Sequence, residues 1–338
     1  MTRILIVVNS VSGGGAERAM NLLANYLIDE GCEVTLFAAN KSAPDLVKPK
    51  FQIIDGSRAL TSGLVGTLPM ILKFRQHLVT NNYDWVILNC ELPELLGVFT
   101  PFSNKLILVE HNERPWLGRS LLGYFVRQIL AARKSINVSV STHTLMWPRR
   151  RTPDFIIPNM VLTPPSVQIS KSSKLKRLVF IGRLTEQKNP MMFIDIVKES
   201  GLSGVLIGEG ALRGDLQSVI DEKHLPCQII GQQIDPWKMV DSGDLLVIPS
   251  RSEGDGLVFI EAVNNGVPVI VSKIPAFLKY SLQDNFYAEH VQDFITKIDR
   301  IKENPIENQV GLIESKRILG DRNSDILGVK WRQILKVD

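Results

Sequence analysis

Residues 244–272 read DLLVIPSRSEGDGLVFIEAVNNGVPVIVS. DLLVIP is short, apolar without alternation and ended by Pro249, which marks a strand buried on both faces. SRSEGDG, polar and broken by Gly254 and Gly256, is a loop; LVFIEAVNN is a helix stopped by Gly266, and VPVIVS opens the next strand. Strand, helix and strand in direct succession form a βαβ crossover, and hence part of a parallel sheet.

The same alternation runs outward from this stretch. RILIVV, EVTLFA, QIID, DWVILN, KLILVE, INVSVS and DFIIP are strands of the first half, and RLVFIG, GVLIG and CQIIG precede DLLVIP in the second. Between the halves, NMVLTPPSVQISKSSK (159–174) has the prolines, serines and lysines of a linker. A chain of 338 residues exceeds one ordinary core. The expectation is two doubly wound sheets, a hinge near residues 160–175 and a cleft into which the loops after the strands project. Apolar residues at helical spacing from about Asn308 to Val337, including Ile326, Leu327, Trp331, Ile334 and Leu335, predict packed terminal helices.

Composition excludes several classes. With 44% apolar and 22% charged residues the chain is an ordinary globular protein, not a disordered one. Cys32, Cys90 and Cys227 are scattered and odd in number, which fits neither a metal pair nor a disulfide framework and points to a reducing cytoplasm. The start, MTRILIVVNS, is too short an apolar run for a signal peptide, and no segment approaches the roughly 20 apolar residues of a membrane span. The net charge of +4 is uneven: Lys105 to Arg151 holds nine Lys or Arg against two Glu, a local +7. That asymmetry suits an anionic partner. No nucleic-acid motif accompanies it.

The strand-following loops carry the chemistry. NSVSGGGAER puts Gly13, Gly14 and Gly15 ahead of an amphipathic helix, where they form either a ligand-approach loop or a flexible turn; G-x-G-x-x-G is not met, so NAD is not expected. His111 ends KLILVE, as a site group or a structural histidine. In GRLTEQKNP, after RLVFI, Gly182 is followed by Arg183 and Lys188, five apart, with Asn189 a cap and Pro190 at the first helical position. The two cations make either an anion clamp or a solvated surface loop. Gly208 to Gly210, and Ile230 with Gly231, end two further strands and either shape a nucleotide pocket or are ordinary turns.

In the opening stretch, backbone NH groups near Gly256, Leu257 and Val258 invite a phosphate at the helix start. Glu253 lies before that point, and Glu261 lies one turn into the helix, roughly 6 Å along. Carboxylates aimed at the phosphate would repel it, so each should instead accept hydrogen bonds from hydroxyls. A ribose on one side of a diphosphate and a hexose on the other satisfy both, and that composition is a nucleotide sugar.

GRLTEQKNP and SEGDGLVFIEAVNNGVPVI, with GGGAER, HN, IPN and IGEG in order along nearly the whole chain, resemble the retaining glycosyltransferases of family 4, the glycosyl transferases group 1, of the bacterial O-antigen and capsule type. The resemblance implies an α/β GT-B fold of two Rossmann-like doubly wound parallel-sheet domains facing across a cleft. Residues 1–165 would form the acceptor side, 166–320 the nucleotide-sugar-binding domain, and 321–338 a helix crossing back to the first domain. It also implies residue roles. Arg183 and Lys188 would neutralise the donor diphosphate, Glu261 would hold the ribose, Glu253 would contact the sugar, and His111 would line the sugar site. Gly14 and Gly15 would close over the reacting groups, with Gly182, Gly208, Ile230, Gly256, Leu257 and Val258 also on the donor. Asp255 departs from the family, which has a bulky apolar residue there, and is expected among the donor-binding residues, reading a donor hydroxyl or amide; Met160 stands where a glycine is usual.

The expected activity is transfer of a sugar from a nucleotide-diphosphate donor, UDP favoured over GDP, to a hydroxyl of a lipid-diphosphate-linked glycan, with anomeric retention. No DxD-like pair follows a strand, so no metal or other cofactor is expected. The partner surface is residues 114–151, where Trp116, Leu117, Leu121, Leu122, Tyr124 and Phe125 mix with Arg119, Arg127, Arg133, Lys134 and WPRRR (147–151). It reads either as a contact with anionic lipid on the inner face of the cytoplasmic membrane or as an ordinary helix with a solvated basic side. A nucleotide-sugar epimerase of the same fold and a non-catalytic nucleotide-sugar-binding protein are the alternatives.

Overall fold

The computed structural model describes residues 1–11, 14–40, 50–58, 67–112, 115–116, 118–142, 152–161, 174–233, 235–280, 286–304, 322 and 324–337. Gly13, Leu117, WPRRR, most of the 159–174 linker and the 308–321 part of the tail lie outside the described residues. The chain divides into two compact units, Met1–Val161 with Arg322–Asp338, and Leu162–Asp321.

Unit 1 holds seven parallel strands: β1 (Arg3–Val8), β2 (Glu33–Asn40), β3 (Gln52–Arg58), β4 (Trp85–Asn89), β5 (Lys105–Glu110), β6 (Ile136–Ser139) and β7 (Phe155–Ile156), in the order β3-β2-β1-β4-β5-β6-β7. Ile4 to Val8 are fully buried, because helices cover both faces of β1: its side chains alternate and all need apolar cover. The helices are α1 (Gly15–Asp29), α2 (Thr67–Thr80), α3 (Glu91–Gly97) and α4 (Ser120–Ala132). INVSVS and DFIIP give shorter strands than the sequence predicts. Pro153 and Pro158, which cannot donate to a ladder, bracket the latter.

Unit 2 holds β8 (Arg177–Ile181), β9 (Ser203–Ile207), β10 (Cys227–Ile229), β11 (Asp244–Ile248), β12 (Val269–Ser272) and β13 (Tyr287–Ala288), in the order β10-β9-β8-β11-β12-β13, all parallel. Its helices are α5 (Pro190–Ser200), α6 (Arg213–Glu222), α7 (Leu257–Asn264), α8 (Pro275–Leu278) and α9 (Val291–Glu303), with a 3₁₀ turn at Pro236–Met239. Phe180, Phe193 and Phe294 anchor one face of its core. The tail helix α10 (Ser324–Leu335) packs in unit 1: the Trp85 indole donates to the Leu335 carbonyl at 3.0 Å and Arg332 pairs with Glu30 at 2.6 Å.

Candidate active site

In an open α/β sheet the crevice for a ligand opens where the strand order reverses direction. In unit 2 that point lies between β8 and β11, and the loops leaving them are GRLTEQKN and PSRSEGDG. The two loops are stitched together, since the Arg251 NH donates to the Gln187 carbonyl at 2.8 Å and the Gln187 amide donates to the Ser252 carbonyl at 3.1 Å. Lys188 and Glu253 meet across them. The Lys188 ammonium lies 2.6 Å from both Glu253 oxygens, and the Ser250 hydroxyl donates to Oε1 at 2.8 Å. Sequence reading gave these two residues separate ligands; the structure makes them one ion pair. Arg183 is exposed on the same loop, its guanidinium 3.5 Å from the Gln187 Oε1.

The Asn189 cap is not formed. Asn189 has φ 53°, in the left-handed region, and its side-chain amide contacts the Met192 sulfur at 3.4 Å instead of a backbone NH. At α7, Gly256 is the N-cap with φ 73°, and a Cβ there would come within 2.6 Å of the Phe277 ring, so only glycine fits. By helix geometry the NH groups of Leu257 and Val258 have no acceptor within α7. Glu261, one turn on, is buried and accepts the Trp237 indole NH on Oε2 at 3.0 Å. Trp237, from the 3₁₀ turn, escaped the sequence reading; an aromatic beside Asp235-Pro236 after β10 was the available signal.

Asp255 is also accounted for. Its carboxylate accepts from the Lys279 ammonium at 2.7 Å and the Tyr280 hydroxyl at 3.3 Å, and that hydroxyl also donates to the Asp255 carbonyl at 3.0 Å. A buried charge needs such partners. Asp255 therefore ties the glycine loop to the end of α8. Gly208 has a packing reason too: a Cβ would run into the Gly182 carbonyl, so these glycines let the loops after β8 and β9 touch backbone to backbone. The Ile230 NH donates to the Leu206 carbonyl at 2.9 Å, so it is engaged within the sheet.

Unit 1 carries the remaining residues at the ends of its own strands. Gly14 is the N-cap of α1, its NH donating to the Glu17 carboxylate at 3.0 Å, and Gly15 opens the helix. His111 is buried at the end of β5. Beneath it, Glu110 Oε2 accepts from Arg127 Nη2 at 2.6 Å, while Arg127 also grips Glu94 through Nε at 2.9 Å and Nη2 at 2.7 Å. All three side chains are buried. Burial, with the nearby Glu94 charge, pushes the Glu110 carboxyl up to about 7 even though Arg127 opposes the shift. Burial also opposes the Arg127 charge, but the two carboxylates outweigh it and hold that guanidinium above its usual range.

The model of the glycosyl transferases group 1 matches residues 166–318. The amylovoran biosynthesis glycosyltransferase AmsD of Erwinia amylovora is 32% identical over 307 residues, 80% of this chain and 80% of its own. The chain belongs to the group 1 glycosyl transferases. The transferase is also 24% identical, over 84% of its length and 83% of the relative's, to the GalNAc-alpha-(1->4)-GalNAc-alpha-(1->3)-diNAcBac-PP-undecaprenol alpha-1,4-N-acetyl-D-galactosaminyltransferase of Campylobacter jejuni. Among solved structures, Anabaena HepE in complex with UDP and glucose superposes with a TM-score of 0.82 at 16% identity, over 99% of this chain and 100% of that one. The fold of the transferase is thus GT-B.

The surface expected over residues 114–151 is only partly exposed in the transferase. Trp116 and Arg127 are buried, so neither belongs to a surface: helix periodicity puts Arg127 on the same face as Gly123, Val126 and Leu130. Arg133 is half-buried, donating to the carbonyls of Gly97 and Pro101 at 2.9 and 2.6 Å. What α4 does expose is Leu121, Leu122, Tyr124, Phe125 and Ile129, with Phe102 90% exposed under the Arg133 guanidinium at 5.0 Å. Among the described residues no helix of the transferase is long and apolar enough to cross a membrane, and no group of three or more His, Cys, Asp or Glu is placed to hold a metal ion.

Proposed function

We propose that the chain is a retaining glycosyltransferase of bacterial surface-polysaccharide assembly that moves a sugar from a nucleotide-diphosphate donor, UDP-linked in preference to GDP-linked, to a hydroxyl of a lipid-diphosphate-linked glycan. The observation that carries the reading is the Lys188–Glu253 pair beside Arg183 at the β8/β11 switch point. It joins a cation for the diphosphate to a carboxylate for the sugar in one hydrogen-bonded unit. The UDP held by HepE and the undecaprenol-diphosphate glycan named for the Campylobacter relative support the donor and acceptor classes.

In this reading the donor diphosphate rests on Arg183, Lys188 and the backbone at Gly256 to Val258, and Glu261 takes the ribose hydroxyls. His111 and the Gly14–Gly15 loop act at the sugar. The acceptor oxygen bonds to the anomeric carbon as the bond from that carbon to the phosphate oxygen breaks, on the same face. The acceptor proton passes to the departing phosphate, and Arg183 and Lys188 stabilise the charge that develops there without a metal. The exposed face of α4, apolar with Arg119 and Lys134 exposed near its ends and no acid within it, would rest on anionic lipid at the inner face of the cytoplasmic membrane.

A thermal-shift panel of UDP, GDP and their sugars should show stabilisation by the UDP series, because a ligand of the native state raises apparent stability. The stabilising donor, given with lipid-diphosphate-linked glycan and EDTA, should yield a product whose anomeric proton coupling in NMR matches the donor's. Sugar released without acceptor, an inverted product, or activity abolished by EDTA would each overturn a stated part. Sedimentation with phosphatidylglycerol vesicles should carry the protein down and should fail for Phe125→Ser with Ile129→Ser; equal sedimentation with neutral vesicles would sink the electrostatic part.

A further inference from the structure

Glu94, Arg127 and Glu110 form a costly arrangement for mere packing. Two carboxylates and one guanidinium are dehydrated together, and an apolar trio of the same volume would fill the space at no such penalty. What an apolar trio could not do is hold the backbone of the β5–α4 loop. Glu110 Oε1 accepts the Asn112 NH at 2.8 Å, across His111. Farther along, Trp116 has φ 60°, a strained conformation for a residue with a side chain; its NH donates to Glu91 Oε1 at 2.7 Å and its indole NH to Glu94 Oε2 at 2.8 Å. Gly123 completes the seat, since a Cβ there would enter the Trp116 ring. The loop is thus tied at both ends to carboxylates, and Arg127 joins the ties.

We propose that Glu110, steadied by Arg127, is the positioning residue of His111: its hydrogen bond to the Asn112 NH fixes the turn in which the imidazole sits, and Glu94 fixes the far end of that loop through Trp116. The inference rests on the role given above to His111 at the donor sugar. A carboxylate oxygen is needed as an acceptor toward Asn112, so a carboxamide keeps the tie and a methyl group loses it.

The test is a double-mutant cycle on the full-length protein, with steady-state transfer as the readout. Glu110→Ala should lower kcat by about tenfold or more, as misplacement of a reacting group does, with donor KM unchanged within about twofold; Glu110→Gln should recover most of that loss. In a His111→Ala background, Glu110→Ala should cost less than about twofold, because the residue it acts through is gone. An equal loss in both backgrounds, equal kcat for the Ala variant and wild type, or a His111→Ala enzyme of normal kcat would overturn the proposal. If Glu110→Ala does not fold, Asn112→Pro removes the same hydrogen bond from the donor side and enters the same cycle. Absence of transfer by the wild-type protein from any donor would instead refute the proposed function, and this inference with it.

Discussion

Unit 1 and unit 2 each hold glutamate against a cation, at different depths. Arg127 and Glu94 are 4% and 0% exposed, whereas Lys188 and Glu253 are 17% and 9% exposed. A fully dehydrated cluster cannot trade partners without stranding a charge. A pair at the rim of a loop can exchange one partner for a substrate oxygen at small penalty. The first is built to stay as it is, the second to be rearranged.

The largest effect should come from breaking the deep cluster. Arg127→Leu leaves two buried carboxylates without their counter-ion and should destabilise unit 1 by about 3–5 kcal/mol, read by thermal or urea unfolding. Nucleotide binding by the remaining native protein should not change. A loss under about 1 kcal/mol, the range of a surface pair, would erase the contrast. Lys188→Ala should do the reverse: a smaller loss of stability than Arg127→Leu, because Glu253 keeps the Ser250 hydroxyl and lies nearer to solvent, and kcat lower by hundreds-fold, about 3–4 kcal/mol in the transition state. Normal turnover at saturating donor would remove Lys188 from the mechanism.

Asp255→Leu sharpens the comparison from a third position, a tie inside unit 2 whose lysine is 16% exposed and can reach water. A loss of about 1–2 kcal/mol in stability should leave donor affinity unchanged in calorimetry; a large change in affinity would return Asp255 to the donor. The smallest effect is in pH. Burial raises the folded-state Glu110 pKa from the usual 4.5 to about 7, so between those values the native protein keeps a proton that the unfolded chain has lost. Stability from this group is therefore full below 4.5 and falls as pH rises to about 7. Glu94 and Arg127 face it, and the buried Cys90 thiol beside it is held well above its usual range by burial, so it stays neutral across that window. Glu110→Gln should flatten this slope in unfolding measured from pH 5 to pH 8; an unaltered slope would assign it to another group.

Much of this was legible in the sequence, for a physical reason. Strands buried on both faces must be apolar throughout, so RILIVV or DLLVIP can hardly be misread, whereas the two-residue strand β13 has no run to show. Spacing along the chain also revealed Glu253 and Glu261, because a single loop and helix separate them. It could not reveal that Glu253 meets Lys188, 65 positions away, since only the adjacency of β8 and β11 brings them together. Arg127 was misjudged by composition: its charge suggested a surface, while its phase in SLLGYFVRQILAA pointed to the core. The Asp255–Lys279 tie was hidden because the acid looked like a departure in a motif when it was half of a pair.

The position of α10 bears on how the chain is made. Unit 1 is assembled from two separate stretches, with all of unit 2 between them. During synthesis, Tyr26, Glu30 and Trp85 wait for Gly328, Arg332 and Leu335, which emerge only after the whole of unit 2. Unit 2 is therefore complete before unit 1, and the nascent unit 1 keeps the seat of α10 uncovered until that helix leaves the ribosome.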